Sequence, residues 1–305
     1  MVSTPWGFHA HKEVNYLACF TLPPEMFGFY KSNIDYIQEF AVRADQRRYA
    51  IEEEAPRHYI DLDHYEKVAP IDTVPMRWDS AVAKYGEGHL KEYGIVPWHV
   101  QSILAWLTKA MKEKDYERII KLSADLGHYI ADAHVPLHTT ENYNGQLTGQ
   151  NGIHGLWESR LPEIFSENYD YFTGKAVYLN SPSEVIWQAV SESFAAKDSV
   201  LALEKLLTEQ MPNTKYSFET RGRSTVKVYS KEFSDAYHTL LGGMVERRMK
   251  KAIHTIGCFW MTAWVNAGQP SLDFEPHQKI DLQPQLDSLN VLIHNATIKG
   301  RMETH

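Results

Sequence analysis

Apolar residues recur every three to four positions through most of the long segments of this chain, the pattern of helices that bury one face. After Pro97 the set Ile103, Leu104, Leu107, Ala110 and Met111 forms one such stripe, and after Asp115 the set Ile119, Ile120, Leu122, Leu126 and Tyr129 forms another. The run Ser181-Pro182-Ser183-Glu184 is a helix start signal and predicts a helix over 183–209. A last long helix is predicted over 231–266, stopped by Gly268 and Pro270. No series of alternating strands interrupts this pattern. Two polar stretches do: residues 142–152, rich in Gly, Asn and Gln, read as a loop, and 212–230 as a connection with room for a short hairpin. Beyond Pro270 the periodicity fades. The expectation is an all-α fold, a single compact multi-helix domain over 1–270 with long loops, followed by a tail, 271–305, laid on the surface or partly mobile.

Composition narrows the function classes. The 305 residues are 43% hydrophobic and 12% aromatic, enough to build a real core. A formal charge of −8 argues against broad binding of duplex nucleic acid and leaves at most a local basic groove. The most apolar stretch, 256–265, is too short for a membrane span and contains Thr262. Cys19 and Cys258 lie too far apart for a CxxC motif and are either two buried thiols or one long-range bridge.

The chemistry concentrates in one region. His128 and Asp132 are four apart and so project from one face of a helix, a metal-ligand spacing. Pro136 ends that helix, and two residues later His138 can fold back toward the same space. After the 142–152 loop, His154 and Glu158 repeat the four-residue spacing. A single His–acid pair at this spacing is more often a surface contact; two pairs and a third His on apolar flanks argue for a metal. Imidazole and carboxylate donors without a nearby cysteine suit zinc at a catalytic site. His134 falls on another helical face and reads as a residue behind the site or on the surface. A haem or di-iron bundle would need paired Glu-x-x-His motifs, which the sequence lacks.

These residues resemble the zinc-dependent phospholipase C and single-strand-specific nuclease superfamily, all-α phosphodiesterases with three zinc ions. His128-Tyr-Ile-Ala-Asp132-Ala-His-Val-Pro136-Leu-His138 is similar to the pattern H-x-x-x-D-x-x-x-P-x-H, and His154-Gly-Leu-Trp-Glu158 to H-x-x-x-[DE]. Asp45, in Ala44-Asp45, and His58, in His58-Tyr-Ile-Asp61, resemble the separated Asp and His ligands, and Trp6-Gly-Phe-His-Ala-His11 the N-terminal Trp and His. The resemblance implies one zinc on Asp45, His58 and His128, a second on His138, His154 and Glu158, and a third on His11 and the main chain of Trp6, with Asp132 bridging the first and third. It further implies that Asp45 orients or deprotonates the attacking water. In the family the tryptophan is the mature N-terminus, whereas residues 1–5 precede Trp6 here.

The implied substrate is a small phosphodiester, either a phospholipid head group or single-stranded nucleic acid. Glu158 as last ligand and Lys114-Asp115 before the His128 motif resemble the phospholipase branch; the short Trp6-to-His11 interval resembles the nuclease branch. Phospholipase-C-like hydrolysis is the leading expectation, with a nuclease as alternative and a non-catalytic metal-binding helical protein as the reading from another class. Phe8, Tyr59, Tyr65 and Trp157 could stack on a base or cage a quaternary ammonium group, although core packing is the commoner role. Arg221 and Arg223 could clamp a phosphate but more readily sit in a solvated loop. Because relatives are exported, the resemblance implies secretion or a periplasm with the signal peptide removed; a cytoplasmic location stays open.

Overall fold

Helix α8, Tyr116–Ala133, is the axis on which the site is built. Asp115 caps its start by accepting from the Arg118 amide at 3.2 Å, and from Leu126 to Ala133 every residue is buried, so neighbours cover the helix on all sides. The computed structural model describes residues 8–65, 71–221, 224–272 and 291. Antiparallel to α8 runs α7, Val96–Glu113, which starts on Pro97 and stops at Lys114 in the left-handed conformation. Residues 103, 104, 107, 110 and 111 of α7 and 119, 120, 122, 126 and 129 of α8 are buried, as the two stripes predict.

Also packed on α8 are α1, Phe8–Ala18, and α13, Met244–Asn266, the latter resting on α7 as well. The approach of α1 depends on Gly127: a Cβ there would meet Asn15 Oδ1 at 2.1 Å, so only glycine lets the two helices cross this closely. Trp260 of α13 is fully buried and donates from its indole N–H to the Ser123 carbonyl at 3.0 Å. The short helices α2, Pro24–Ser32, α3, Ile34–Phe40, and α4, Arg43–Arg47, follow α1. A loop with short 3-10 turns leads to α5, Trp78–Tyr85, and α6, Glu87–Tyr93. After α8 come a 3-10 turn, Pro136–Thr139, the 142–152 loop, and a helical segment that opens as α9, Ile153–Gly155, passes through a π-helical turn, Leu156–Arg160, and ends as α10, Leu161–Phe165.

The fold is mainly α, as expected. Helix α11, Pro182–Gln210, matches its predicted span to within a residue at each end, and the 212–230 connection is an antiparallel hairpin, β1 Tyr216–Arg221 with β2 Ser224–Tyr229, pairing Tyr216 with Tyr229. The predicted single helix over 231–266 is corrected: it is two helices, α12, Lys231–Leu240, and α13. Gly242 and Gly243 between them have φ of 55° and 75°, a conformation that breaks a helix at little cost only in glycine. Of the predicted tail, Leu272 packs into the core, while nearly all of the rest lies outside the described residues. Both cysteines are buried free thiols, which settles against a bridge. Among the described residues no helix is long and apolar enough to cross a membrane.

Candidate metal centre

Eight side chains from six parts of the chain, α8 among them, meet at one place. His11 comes from α1, Asp45 from α4, and His58 from the end of a 3-10 turn. His128 and Asp132 come from α8, His138 from the turn at Pro136, and His154 and Glu158 from the α9 segment and its π turn. Three groups have ligand atoms within 4.8 Å of one another: His11 with His128 and Asp132, Asp45 with His58 and His128, and His138 with His154 and Glu158. Asp45, at 7% exposure, is the most accessible of the eight. Trp6 lies outside the described residues.

Local structure aims these groups. His128 and Asp132 stack one turn apart on α8, with His128 Nε2 3.2 Å from Asp132 Oδ2. The π turn does the same for His154 and Glu158, bringing Nε2 to 2.7 Å from Oε2; such turns recur at functional sites because they redirect a side chain within a helix. The loops carrying His58 and His138 are tied together twice: the Ile60 amide donates to the His138 carbonyl at 2.9 Å, and His138 Nδ1–H donates to the His58 carbonyl at 2.7 Å. The His11 ring stacks on that of His128 with centroids 4.1 Å apart.

Three imidazoles spend their outer N–H on a backbone carbonyl: His128 Nδ1 on Ala41 (2.7 Å), His138 Nδ1 on His58, and His154 Nδ1 on Tyr143 (3.2 Å). In that tautomer each Nε2 turns a lone pair toward the cluster. There the lone pairs meet carboxylate oxygens, His138 Nε2 lying 3.3 Å from Glu158 Oε2, and other nitrogens, His128 Nε2 lying 2.9 Å from His58 Nδ1. Lone pairs facing one another at such distances repel unless a proton or a metal cation sits between them. Among the described residues Asp132 Oδ1, which is buried, has no hydrogen-bond partner. The donor set and its orphaned atom therefore fit a metal ion.

The titration behaviour points the same way. Burial pushes the His128 imidazole down, but Asp132 and Asp45 outweigh it and lift it to about 9, so a proton takes the place a cation would hold. Burial would raise the carboxyls of Asp132 and Glu158, yet the surrounding imidazoles hold both well below the usual range: His128 and His138 for Asp132, His138 and His154 for Glu158.

The remaining sequence-predicted residues divide. His134 is fully buried beside Arg248 and outside the three groups; burial and that cation push it down to about 3. Phe8, Tyr59 and Trp157 are buried, whereas Tyr65 is half-buried and packs on Tyr85 and His89. Arg221 ends β1, and Arg223 lies outside the described residues. Sequence reasoning missed Glu54, a fully buried carboxylate 3.7 Å from His58 Nε2, and Arg48, whose Nη1 lies 3.5 Å from Asp45 Oδ1. Glu54 and His58 stand four apart, the same acid–His spacing that singled out α8, but on a 3-10 turn without helical periodicity to draw attention to it. No family model matches the chain, and no curated protein matches it.

Proposed function

We propose that this chain is a zinc-dependent hydrolase that cleaves a phosphodiester with an activated water, in the manner of a phospholipase C. The observation that carries the reading is the division of one buried carboxylate. Asp132 turns Oδ2 to His58 Nδ1 (3.0 Å) and His128 Nε2 (3.2 Å), and Oδ1 to His11 Nε2 (3.3 Å). A carboxylate so placed could hold two cations at once, one on each oxygen, an arrangement that would suit a multi-metal phosphate hydrolase. His138, His154 and Glu158 offer a further seat. The all-nitrogen-and-oxygen donor set suits zinc.

Bound zinc would supply polarisation of phosphate oxygens and a water acidic enough to attack near neutral pH. The protein's own residues do the rest. Asp45, the most accessible of the eight site residues, holds the attacking water and accepts its proton, and Arg48 fixes its orientation. The backbone carbonyls of Ala41, His58 and Tyr143 hold three imidazoles in the ligating tautomer, so the site needs little reorganisation. If the Trp6 amine completes the His11 seat, removing residues 1–5 strengthens binding of that ion.

The test is zinc content together with turnover of phosphatidylcholine, single-stranded DNA and an aryl phosphodiester, with and without chelator. Zinc-dependent turnover with phosphatidylcholine preferred is the expected result. Preference for DNA moves the reading to the nuclease branch, and chelator-insensitive turnover rejects the mechanism. The depth of the eight residues favours one other reading, a non-catalytic metal seat, which predicts retained zinc and no turnover of any of the three.

A further inference from the structure

His58 is oriented unlike its neighbours. Where His128, His138 and His154 turn Nε2 inward and rest Nδ1 on neutral carbonyls, His58 turns Nδ1 inward, 3.0 Å from Asp132 Oδ2 and 3.5 Å from Asp45 Oδ1. Its Nε2 is buried, has no hydrogen bond among the described residues, and faces Glu54 Oε1 at 3.7 Å, a charge-pair distance that a small rotation of the ring closes to a hydrogen bond.

Glu54 is anchored from three directions. Arg57 Nη1 donates to Oε2 at 2.6 Å, Arg47 Nη2 to Oε1 at 3.2 Å, and the Tyr129 hydroxyl to Oε1. Arg47 is in turn fixed by Asp125 Oδ1 at 3.0 Å, and Tyr129 follows His128 on α8. The carboxylate is thus held behind the His58 ring by both the loop and the helix that build the seat.

We infer that Glu54 is a positioning residue for the Asp45, His58 and His128 seat: it keeps the His58 proton on Nε2, leaving the Nδ1 lone pair for the metal. The inference rests on the zinc reading proposed above. A carboxylate behind a ligating imidazole makes it a stronger donor than a neutral carbonyl does, so this seat holds its ion more tightly than the one formed by His138, His154 and Glu158.

The experiment compares wild type, Glu54→Gln, Tyr129→Phe and, as a control at a buried charge remote from the seat, Glu204→Gln. Zinc affinity is measured by chelator competition, and the seat itself by the visible absorption of the cobalt-substituted protein. Expected for Glu54→Gln is a loss of roughly 10- to 100-fold in affinity for one ion, with an altered cobalt spectrum and the other ions unaffected. Tyr129→Phe, which keeps the ring and folds if the amide variant does not, is expected to weaken the same ion less. Folded variants with wild-type affinity and spectrum overturn the inference while leaving the zinc reading intact. So does a uniform loss of all ions shared with Glu204→Gln, which marks a purely structural charge. Wild-type protein that takes up no zinc overturns both.

Discussion

Asp132 on α8 and Glu204 on α11 are both fully buried carboxylates, and the protein compensates them in opposite ways. Glu204 has a cation of its own: Lys215 Nζ lies 2.7 Å from Oε1, the Gln150 amide donates to Oε2 at 2.5 Å, and the Thr208 and Tyr229 hydroxyls approach Oε1 at 3.1 and 3.4 Å. That knot is closed, and it ties the 142–152 loop and the β-hairpin to α11. Among the described residues Asp132 has imidazoles around it, no lysine or arginine, and one oxygen without a hydrogen bond. Burying a charge costs several kcal/mol unless an opposite charge compensates it, so Glu204 is balanced by a permanent cation, whereas Asp132 is balanced by protonated imidazole whose proton a metal ion could replace.

Substitutions at the two carboxylates break that contrast most sharply. Asp132→Asn is expected to remove the bridge, lower zinc content and reduce phosphodiester turnover on the order of 10³-fold, beyond what outer partners of a metal cost; normal zinc content would refute the bridge. Glu204→Gln leaves Lys215 buried without its charge partner and is expected to cost about 3 to 5 kcal/mol in denaturant unfolding, with zinc stoichiometry unchanged in the folded fraction. Gly127→Ala forces α1 away from α8 at Asn15, with an expected cost of about 1 to 3 kcal/mol and selective weakening of the ion at His11.

Two histidines near the end of α8 sharpen the contrast through pH. In the zinc-free protein His128 titrates at about 9, above its ordinary 6.5, so its stabilisation is present below 6.5 and lost as pH rises toward 9. His134 titrates at about 3, so its stabilisation is present above 6.5 and lost as pH falls toward 3. Denaturation with chelator should therefore show stability falling on both sides of pH 6.5. On the proposed reading zinc would take the place of the proton on His128, so added zinc should abolish the alkaline loss while leaving the acid one. The smallest effect is expected for Tyr229→Phe, which removes one long hydrogen bond to Glu204: about 1 kcal/mol or less in unfolding, and no change in zinc content.

What could be read from the chain was what is local. The apolar stripes of α7 and α8, the start of α11 at Ser-Pro-Ser-Glu and the His–acid pairs at 128/132 and 154/158 all repeat within a turn or two, and helical periodicity fixes the face on which such residues lie. The break at Gly242-Gly243 was present in the sequence but hidden, because apolar spacing continues on both sides of it. Resemblance extended the set to Asp45, His58 and His11, but it said nothing of what holds them. Tertiary structure alone decided that Gly127 admits α1 close enough for His11 to stack on His128 and that Glu54 stands behind His58. The physical reason is distance along the chain: His58 and Asp132 are 74 residues apart and His11 and Glu158 are 147 apart, so their meeting depends on the packing of the whole core and on no pattern within a single segment.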